Sequence, residues 1–332
     1  MKKILFSLVF FITSLLSNEL QEAIDNASEG SIITLSKGEY HGNIVINKAL
    51  VIDGIDKKAK IIGDGKGSVI SIKKSNVVIK NLSIENSGFS VEKIDSAIHA
   101  KEVNNITIEN NHISDSLFGI NFEQVNRSKV IDNFITSKDL ELGIRGDGIR
   151  LWNSHDNQLF ANRLYKSRDF VLWYSSGNNI ENNYGSYNRY SLHFMYAGRN
   201  MVRNNFFEYN SVGIFFMYSS GTIAIGNTVK NSLGAFGVGI GMKDSSDFTL
   251  LENNLIYNPR GLYLDQSPYH PRTVNVFERN NILYNSSGVQ FQVSRERSIF
   301  KENVIKGNIE PVVSDTPRNN LDINDWSGNY WD

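Results

Sequence analysis

The chain has 332 residues, of which 40% are hydrophobic, and a formal net charge of -1. This near-neutral balance gives no electrostatic reason to expect nucleic acid or an anionic membrane surface as a partner. The absence of cysteine excludes structural disulfides, zinc–thiolate sites and a thiol nucleophile, so a soft metal could be bound only by histidine, methionine or carboxylate groups.

The N-terminal residues are typical of an export signal. Lys2 and Lys3 precede an apolar run that ends at Leu16. This run has the length of a signal-peptide core and is too short to span a bilayer. We therefore expect residues 1–17 to be a signal peptide that directs the chain to the periplasm; the alternative is an uncleaved N-terminal anchor.

Between residues 18 and 96 the pattern is only loosely repetitive. The spacing of apolar residues predicts a short amphipathic helix over Leu20–Ala27, which would cap the open end of a β-coil and shield its edge. The alternating segment Ser31–Leu35 predicts the first strand. The segments Val51–Gly54 and Ile61–Gly65 are typical of early turns of the same coil.

From residue 97 to 310 the sequence repeats itself about every 22 residues. Each repeat opens with a short segment in which large apolar residues alternate with variable ones, the period of a strand with one buried face. An asparagine, often doubled, follows each opening. The openings begin at Ala97, Gly119, Gly148, Phe170, Ser191, Gly213, Gly239, Gly261 and Gly288, and the asparagines are Asn111, Asn133, Asn162, Asn183, Asn205, Asn227, Asn254, Asn281 and Asn303.

This repeat predicts an all-β fold, a right-handed parallel β-helix in which three short strands form each turn and stacked turns share one core. We expect a single β-helix domain over 18–332, made of a cap and early turns (18–96), regular turns (97–310) and a closing segment (311–332). The asparagines are interpreted as structural, because an inward-turned amide at a bend can bond backbone groups and the amide of the next turn.

Three intervals between asparagines are longer than the rest and predict projecting loops, near residues 137–147, 234–238 and 267–272. Loops on a rigid scaffold often carry binding function. Neutral insertions in tolerant surface turns are an equally good interpretation of any one of them.

The outward positions of the openings change character along the chain. They are polar in the first and last repeats and aromatic or sulfur-bearing in the middle ones, which predicts an apolar patch of several hundred Å². A patch of this kind usually marks an interaction surface, although a long loop could instead cover it. The predicted partner-binding residues are Trp152, Leu172, Tyr174, His193, Phe215 and Tyr263, and Met195 and Met217 belong to the same patch.

Within this patch, His193 and Met195 lie two residues apart on one face, and Met217 falls above Met195 on the next turn. One imidazole and two thioethers suit Cu(I), a soft cation, and would be poor ligands for magnesium or calcium. The sequence thus indicates a possible transient Cu(I) site at His193, Met195 and Met217. A methionine-containing contact surface without metal is the alternative.

An enzymatic function is less well supported. Parallel β-helices that cleave or epimerise acidic polysaccharides need a cluster of outward carboxylates. The central outward column offers only Asp265, with Asp244 beside it. The charged residues at matching turn positions are interpreted as a structural salt-bridge ladder, and no catalytic residue is predicted; this ladder consists of Asp147, Arg168, Asp169 and Arg189.

Several segments resemble the NosD family of periplasmic nitrous oxide reductase maturation proteins, which is a family of right-handed parallel β-helices. The resemblance is densest from Gly146 to Pro271. The similar segments are Gly146–Trp152, Ser167–Ser175, Arg189–Tyr196, Gly213–Ser219, Gly261–Pro268 and the closing motif Gly328–Asp332.

The resemblance implies a non-enzymatic role in assembling the copper–sulfide centre of nitrous oxide reductase. It implies as partners the permease and ATPase subunits of an ABC transporter, a copper chaperone and the apo-enzyme. The chain has no phosphate-binding glycine loop with a lysine, so ATP hydrolysis would reside in another subunit. We expect a scaffold that docks the copper donor and the apo-enzyme; the alternative is a lyase or epimerase acting on an acidic glycan.

Overall fold

The computed structural model describes residues 10–12, 19–316 and 321–332. The chain is an all-β, right-handed parallel β-solenoid of about 13 turns with about 23 residues per turn, which confirms the predicted fold class. The predicted signal peptide lies outside the described residues, apart from 10–12. Two compact units, Met1–Gln158 and Leu159–Asp332, divide the chain, and each has the same three-sheet construction.

In the first unit every third strand pairs in parallel. The elements are β1 (Phe10–Ile12), α1 (Glu19–Asn26), β2 (Ile32–Leu35), β3 (Gly38–His41), β4 (Ile44–Ile46), β5 (Val51–Asp53), β6 (Ala59–Ile62), β7 (Ile70–Ile72), β8 (Val78–Lys80), β9 (Leu82–Glu85), β10 (Ser96–Lys101), β11 (Thr107–Glu109), β12 (His112–Ser116), β13 (Phe118–Glu123), β14 (Lys129–Ile131), β15 (Phe134–Ser137), a 3-10 helix (Leu142–Ile144) and β16 (Ile149–Trp152). Sheet I has the order β1-β2-β5-β8-β11-β14, sheet II β4-β7-β10-β13-β16, and sheet III β3-β6-β9-β12-β15.

The predicted cap is helix α1, which lies against β4, the first strand of sheet II. Leu20 and Ile24 are its buried residues. The side-chain amide of Gln21 bonds both backbone groups of Val45, accepting from its N–H at 2.8 Å and donating to its carbonyl at 3.1 Å. Because this amide occupies the place of a neighbouring strand, the edge of β4 is protected from pairing with another chain.

The second unit repeats the pattern, and β17 (Gln158–Phe160) contains the boundary between the units. The further elements are β18 (Arg163–Tyr165), β19 (Asp169–Trp173), β20 (Asn179–Glu181), β21 (Tyr184–Ser186), β22 (Tyr190–Met195), β23 (Met201–Arg203), β24 (Phe206–Glu208), β25 (Val212–Met217), β26 (Ile223–Ile225), β27 (Thr228–Lys230), β28 (Val238–Lys243), β29 (Thr249–Leu251), β30 (Asn254–Ile256), β31 (Arg260–Asp265), β32 (Asn275–Glu278), β33 (Asn281–Leu283), β34 (Ser287–Val293), β35 (Ser298–Lys301), β36 (Val304–Lys306), β37 (Glu310–Ser314), a 3-10 helix (Leu321–Ile323) and β38 (Tyr330–Trp331). Here sheet I runs β20-β23-β26-β29-β32-β35, sheet II β19-β22-β25-β28-β31-β34-β37, and sheet III β18-β21-β24-β27-β30-β33-β36-β38.

All three predicted insertions are connections between strands. The first contains the 3-10 helix before β16, the second joins β27 to β28, and the third joins β31 to β32. Among the described residues, no helix has the length and apolarity needed to cross a membrane.

The core of the second unit is filled by stacked identical residues. Phe194 and Phe216 are fully buried register partners with ring centroids 4.8 Å apart, and Phe277 and Phe300 form a second such pair at 4.7 Å. These spacings match the distance between neighbouring strands. Stacking one residue type on successive turns therefore fills the core without forcing any turn out of register.

The predicted asparagine column is a continuous hydrogen-bonded ladder. The Asn205 Oδ1 atom accepts from the backbone N–H of Asn183 at 2.9 Å and from its Nδ2 atom at 3.0 Å. The Nδ2 atom of Asn205 in turn donates to Asn227 Oδ1 and to the carbonyl of Ile180. Each amide thus satisfies donors and acceptors that the bend would otherwise bury unpaired.

Two members of the column were predicted one residue too late. The ladder passes through Asn253 and Asn280, which are buried, instead of Asn254 and Asn281. The residue before each ladder asparagine has a positive φ, as in Asn204 with φ 55°. In Asn204-Asn205 the first asparagine has the positive φ and the second is the ladder residue. In Asn253-Asn254 the first asparagine is the ladder residue, because Glu252 before it has the positive φ.

Two further amide ladders were not predicted. One joins Asn258, Asn285 and Asn308, and another joins Asn178 to Asn200. Serine or threonine interrupts these columns, as where Thr222 Oγ1 accepts the N–H of Asn200. Because the interruptions break the regular spacing of asparagines, only the most uniform column is visible as a repeat in the sequence.

The ladder predicts a sharp contrast between two adjacent asparagines. Asn205→Ala should destabilise the protein by about 3 kcal/mol, because it removes the acceptor of the buried Asn183 N–H, one of the three acceptors of Asn183 Nδ2 and the side-chain donor to the Ile180 carbonyl. Asn204→Gly should change stability by less than about 0.5 kcal/mol, because glycine adopts positive φ readily. Urea unfolding followed by circular dichroism measures both, and equal losses would contradict the assignment.

Candidate functional site

The outer face of sheet II in the second unit carries most of the predicted site residues. His193 on β22 is the register partner of Phe215 on β25, and Met195 is the partner of Met217. Continuing along the sheet, Phe215 pairs with Gly241, which pairs with Tyr263 on β31. The predicted order of these side chains on one face is therefore correct, including the position of Met217 beside Met195.

Two predicted positions, Leu172 and Tyr174, are wrong. A bulge after Asp169 shifts β19 by one residue, so that Val171 pairs with His193 and Trp173 with Met195. Leu172 is consequently fully buried in the core, and Tyr174 lies beyond the strand with φ 50°. A shift of one residue moves every side chain of a strand to the opposite face.

The sequence does contain a signal for the correct register. Trp173, Met195 and Met217 each precede a tyrosine and then a small residue. Aligning these three tripeptides would have placed Trp173 on the outer face and Tyr174 in the turn.

The remaining predicted partner-binding residue, Trp152, belongs to the first unit. It pairs with Glu123 on the outer face of sheet II in that unit, and it is partly buried. The guanidinium of Arg150 lies 5.0 Å from its ring, a favourable cation–π distance.

His193 sits in a nearly closed environment, with only 5% of its surface exposed. Its ring stacks on Tyr190 at 4.6 Å. Its Nε2 atom is 3.2 Å from Met217 Sδ, and its Nδ1 atom is 3.5 Å from Asp169 Oδ2. The second distance is too long for a regular hydrogen bond, and Nδ1 is a buried atom with no hydrogen-bond partner among the described residues.

Asp169 links this histidine to Arg189. The Arg189 guanidinium holds the carboxylate through two hydrogen bonds, one of them 2.9 Å from Nε to Oδ1. Burial raises the pKa of Asp169, but its interactions with His193 and Arg189 lower the pKa by more, so it lies below its usual value. The carboxylate therefore stays ionised, and it lies beside the Nδ1 edge of the imidazole. The predicted salt bridge between Asp169 and Arg189 exists, but its contact with His193 was not foreseen.

This arrangement can present a soft ligand set. A carboxylate behind Nδ1 is the partner that usually fixes the tautomer of a metal-binding histidine, leaving Nε2 free to coordinate. Nε2 points at a thioether, and the register brings Met195 next to Met217. Within the described residues, no group of three or more histidine and acidic side chains could hold a metal.

The face around His193 is a packed layer more than an open patch. Phe215, Val212 and Val238 are buried, and Tyr190, Met217 and Tyr263 pack against them. Phe215 lies over Gly241, where an added Cβ would come within 2.3 Å of the ring. The exposed patch is thus smaller than predicted. The partly exposed residues of the face are Trp173, Tyr190, Met195, Met217 and Tyr263.

The second predicted loop forms one wall of a cleft next to this layer. The cleft has a volume of about 350 Å³ and is lined by Tyr190 and Val212 on one side and by Leu233 to Phe236 on the other. Phe236 is 78% exposed, and the Arg260 guanidinium lies 5.2 Å from its ring. An apolar loop tip beside the aromatic layer extends the surface that a partner could contact.

Polar groups border the layer on the following turns. Lys243 pairs with Asp265 at 3.1 Å, and the hydroxyl of Tyr263 donates to Gln292 Oε1 at 3.2 Å. Gln290 donates to both oxygens of Asp315. The carboxylate considered for glycan chemistry, Asp265, is therefore held in an ion pair.

Solved structures with a similar fold include two epimerases. The A-module of mannuronan C-5 epimerase AlgE6 from Azotobacter vinelandii has a TM-score of 0.74 at 15% identity, covering 94% of both chains. The periplasmic alginate epimerase AlgG has a TM-score of 0.51 at 13% identity, covering 97% of this chain and 83% of that one. At these identities the likeness shows the fold alone.

Sequence comparisons are more specific. A cell surface glycoprotein of Methanothermus fervidus is 32% identical over 106 residues, and the match spans 31% of this chain and 17% of that protein. A family model of the right-handed β-helix region matches residues 68–193. A second model, described as periplasmic copper-binding protein (NosD), matches residues 135–332. Because that match covers more than half of the chain, the protein belongs to the NosD family of periplasmic copper-binding proteins.

Proposed function

We propose that this protein is a periplasmic accessory protein for the maturation of nitrous oxide reductase. It docks a copper donor and the apo-enzyme, and it works with an ABC transporter whose permease and ATPase subunits are separate chains. An N-terminal signal peptide directs it to the periplasm. Membership in a periplasmic copper-binding family supports the location and the link to copper.

One observation carries the proposal: the contact chain from Arg189 through Asp169 and His193 to Met217, next to a partly exposed aromatic layer. An ordinary outer sheet face is solvated and polar. Its stability does not require a buried imidazole that lies between a carboxylate and a thioether. A protein that handles Cu(I) as cargo needs that combination, because soft ligands hold Cu(I) while a carboxylate sets the histidine tautomer.

The residues that would hold the ion are Nε2 of His193 and the sulfurs of Met217 and Met195. The separation of 3.2 Å between Nε2 and the Met217 sulfur is close to the spacing of two ligands on one ion, roughly 3.5 Å for bond lengths of about 2.0 and 2.3 Å. His193 is nearly buried under Tyr190. Cargo would therefore enter or leave when the ring of Tyr190 moves, a step that a docked partner could control.

The partner would contact the residues that remain exposed on the layer. Trp173, Met195, Met217 and Tyr263 provide aromatic and thioether surface, and the Lys243–Asp265 pair borders it. Aromatic residues at the centre of a polar border are typical of the energetically dominant part of a protein interface.

The metal site is tested by measuring Cu(I) binding in anaerobic, reducing buffer, in competition with a chromogenic Cu(I) chelator. Met217→Leu keeps the packing volume but removes the sulfur, and His193→Ala removes the imidazole. Each should weaken Cu(I) affinity by at least tenfold, and Asp169→Asn should weaken it by about 10- to 100-fold through loss of the orienting carboxylate.

His41→Ala is the matched control for that series, because His41 is an exposed histidine of the first unit. Its affinity should equal that of the unaltered protein. If the unaltered protein binds no Cu(I), or binds as much as His193→Ala does, the assignment of these residues is wrong.

The docking surface is tested with the double variant Trp173→Ser and Tyr263→Ser. Loss of two interface aromatics should weaken binding of the apo-reductase or the copper chaperone by roughly 2 kcal/mol or more, which is at least about 30-fold. Surface plasmon resonance measures this, with the β-type circular dichroism unchanged. Tyr284→Ser, at an exposed tyrosine of another turn, should bind normally. Unchanged binding by the double variant would refute this docking face.

A lyase or epimerase acting on an acidic glycan is the competing function, because the similar solved structures include alginate-modifying enzymes. Incubation with alginate or pectate distinguishes the two. Formation of unsaturated uronate or of epimerised residues, detected by ultraviolet absorbance and NMR, would refute the scaffold proposal.

A further inference from the structure

The turn position that follows each outer strand of sheet II forms a column of its own in the second unit. Its members all have positive φ, between 45° and 51°. Large residues are uncommon in this conformation, yet the first three places are occupied by tyrosines. The column consists of Tyr174, Tyr196, Tyr218, Asp244 and Gln266.

The three tyrosine rings form a regular stack. Tyr174 and Tyr196 have ring centroids 5.1 Å apart with planes 6° from parallel, and Tyr196 and Tyr218 are 4.9 Å apart at 12°. One face of Tyr218 is thus covered by Tyr196. Its other face is directed toward the next turn, where the column continues with Asp244, whose side chain is too short to cover a ring.

A cleft of about 280 Å³ occupies the place where a fourth ring would lie. Tyr196, Tyr218, Asp244, Tyr269 and His270 line it. The last two belong to the third predicted loop, which closes the far side of the cleft.

This loop is held in place by the strand end beneath it. The backbone N–H groups of Tyr269 and His270 both donate to Ser246 Oγ, at 2.8 Å and 2.9 Å. Thr273 Oγ1 donates to the carbonyl of His270 at 2.6 Å. The wall of the cleft is therefore part of the fixed structure, and the cleft is preorganised.

The cleft carries negative charge without an internal partner. Among the described residues, the Asp244 carboxylate accepts no hydrogen bond and forms no ion pair. Lys243, the preceding residue, is paired with Asp265. Burial and the charge of Asp265 raise the pKa of Asp244, while Lys243 and Arg295 lower it by less, so the net effect is an increase. An incoming cation would stabilise this carboxylate.

We infer that the cleft binds the guanidinium group of an arginine side chain presented by a partner polypeptide. A guanidinium is planar and can stack on the open face of Tyr218 as the fourth member of the ring column. Its N–H groups can bond the Asp244 carboxylate at the same time. A lysine ammonium could meet the carboxylate but could not continue the stack, and a neutral sugar would leave the charge unpaired.

This binding site does not involve the His193 layer and needs neither copper nor any partner of the proposed function. It can therefore be tested on the isolated protein with short peptides. The peptides are Gly-Arg-Gly amide, the same peptide with lysine, and the same peptide with citrulline, which keeps the planar shape but has no charge. Agmatine, which carries a primary ammonium group besides its guanidinium, serves as a small-molecule comparison. Saturation-transfer NMR and titration calorimetry measure binding.

We expect the arginine peptide to saturate the site with a millimolar Kd, at least fivefold tighter than the lysine peptide and about tenfold tighter than the citrulline peptide. Agmatine should bind no more tightly than the arginine peptide. Asp244→Asn should weaken arginine binding by about tenfold, and Tyr218→Leu by about fivefold. Tyr284→Leu, which shortens a different exposed stack that includes Tyr257, should have no effect.

Absence of saturable arginine binding would overturn the inference, as would citrulline binding equal to arginine or an Asp244→Asn variant with unchanged affinity. If agmatine binds tenfold more tightly than the peptide, a polypeptide arginine is not the ligand. Asp244→Asn is nearly isosteric, so its result stands even if Tyr218→Leu is poorly folded.

Discussion

The fold depends on satisfying the backbone at its bends. Each turn of a β-solenoid changes direction several times, and every change leaves N–H and carbonyl groups that no strand can pair. The amide ladders through Asn205, Asn258 and Asn178 supply those partners on consecutive turns. Because each amide bonds the turns on both sides of it, the bends are fixed to one another and the spacing of turns becomes uniform.

Because buried amide ladders fix the turns, the residues on the outer faces of the strands can differ from turn to turn. On the outer face of sheet II in the second unit, the chain uses this freedom to place an imidazole between a carboxylate and a thioether, next to a packed aromatic layer. At the neighbouring bend the same freedom permits three tyrosines in a conformation that such residues seldom adopt. Both surfaces lie next to the core positions that hold the turns together, and the bulge after Asp169 is the one shift of register at the His193 surface.

Periodicity in the sequence predicted the fold, the cap helix, the loops and the shared face of His193, Phe215 and Tyr263, because each follows from which residues must be buried. It failed where the backbone departs from the repeat without changing composition. The bulge after Asp169 moved Leu172 inward. At Asn253 the backbone keeps the repeat, but the doubled asparagine begins one position later than on other turns, because Glu252 occupies the left-handed position before it. Contacts between different turns, such as that of Asp169 with His193, depend on side-chain direction and reach, which spacing alone does not specify.

The Gln21 amide that bonds both backbone groups of Val45 has a consequence for how such chains change in length. The edge of β4 is protected by helix α1, which lies outside the repeating turns. Whole turns can then be duplicated or lost between the termini while the capping contact is inherited intact. Growth by internal duplication carries no added risk of edge-to-edge association, so surfaces like the tyrosine column can be lengthened one ring at a time.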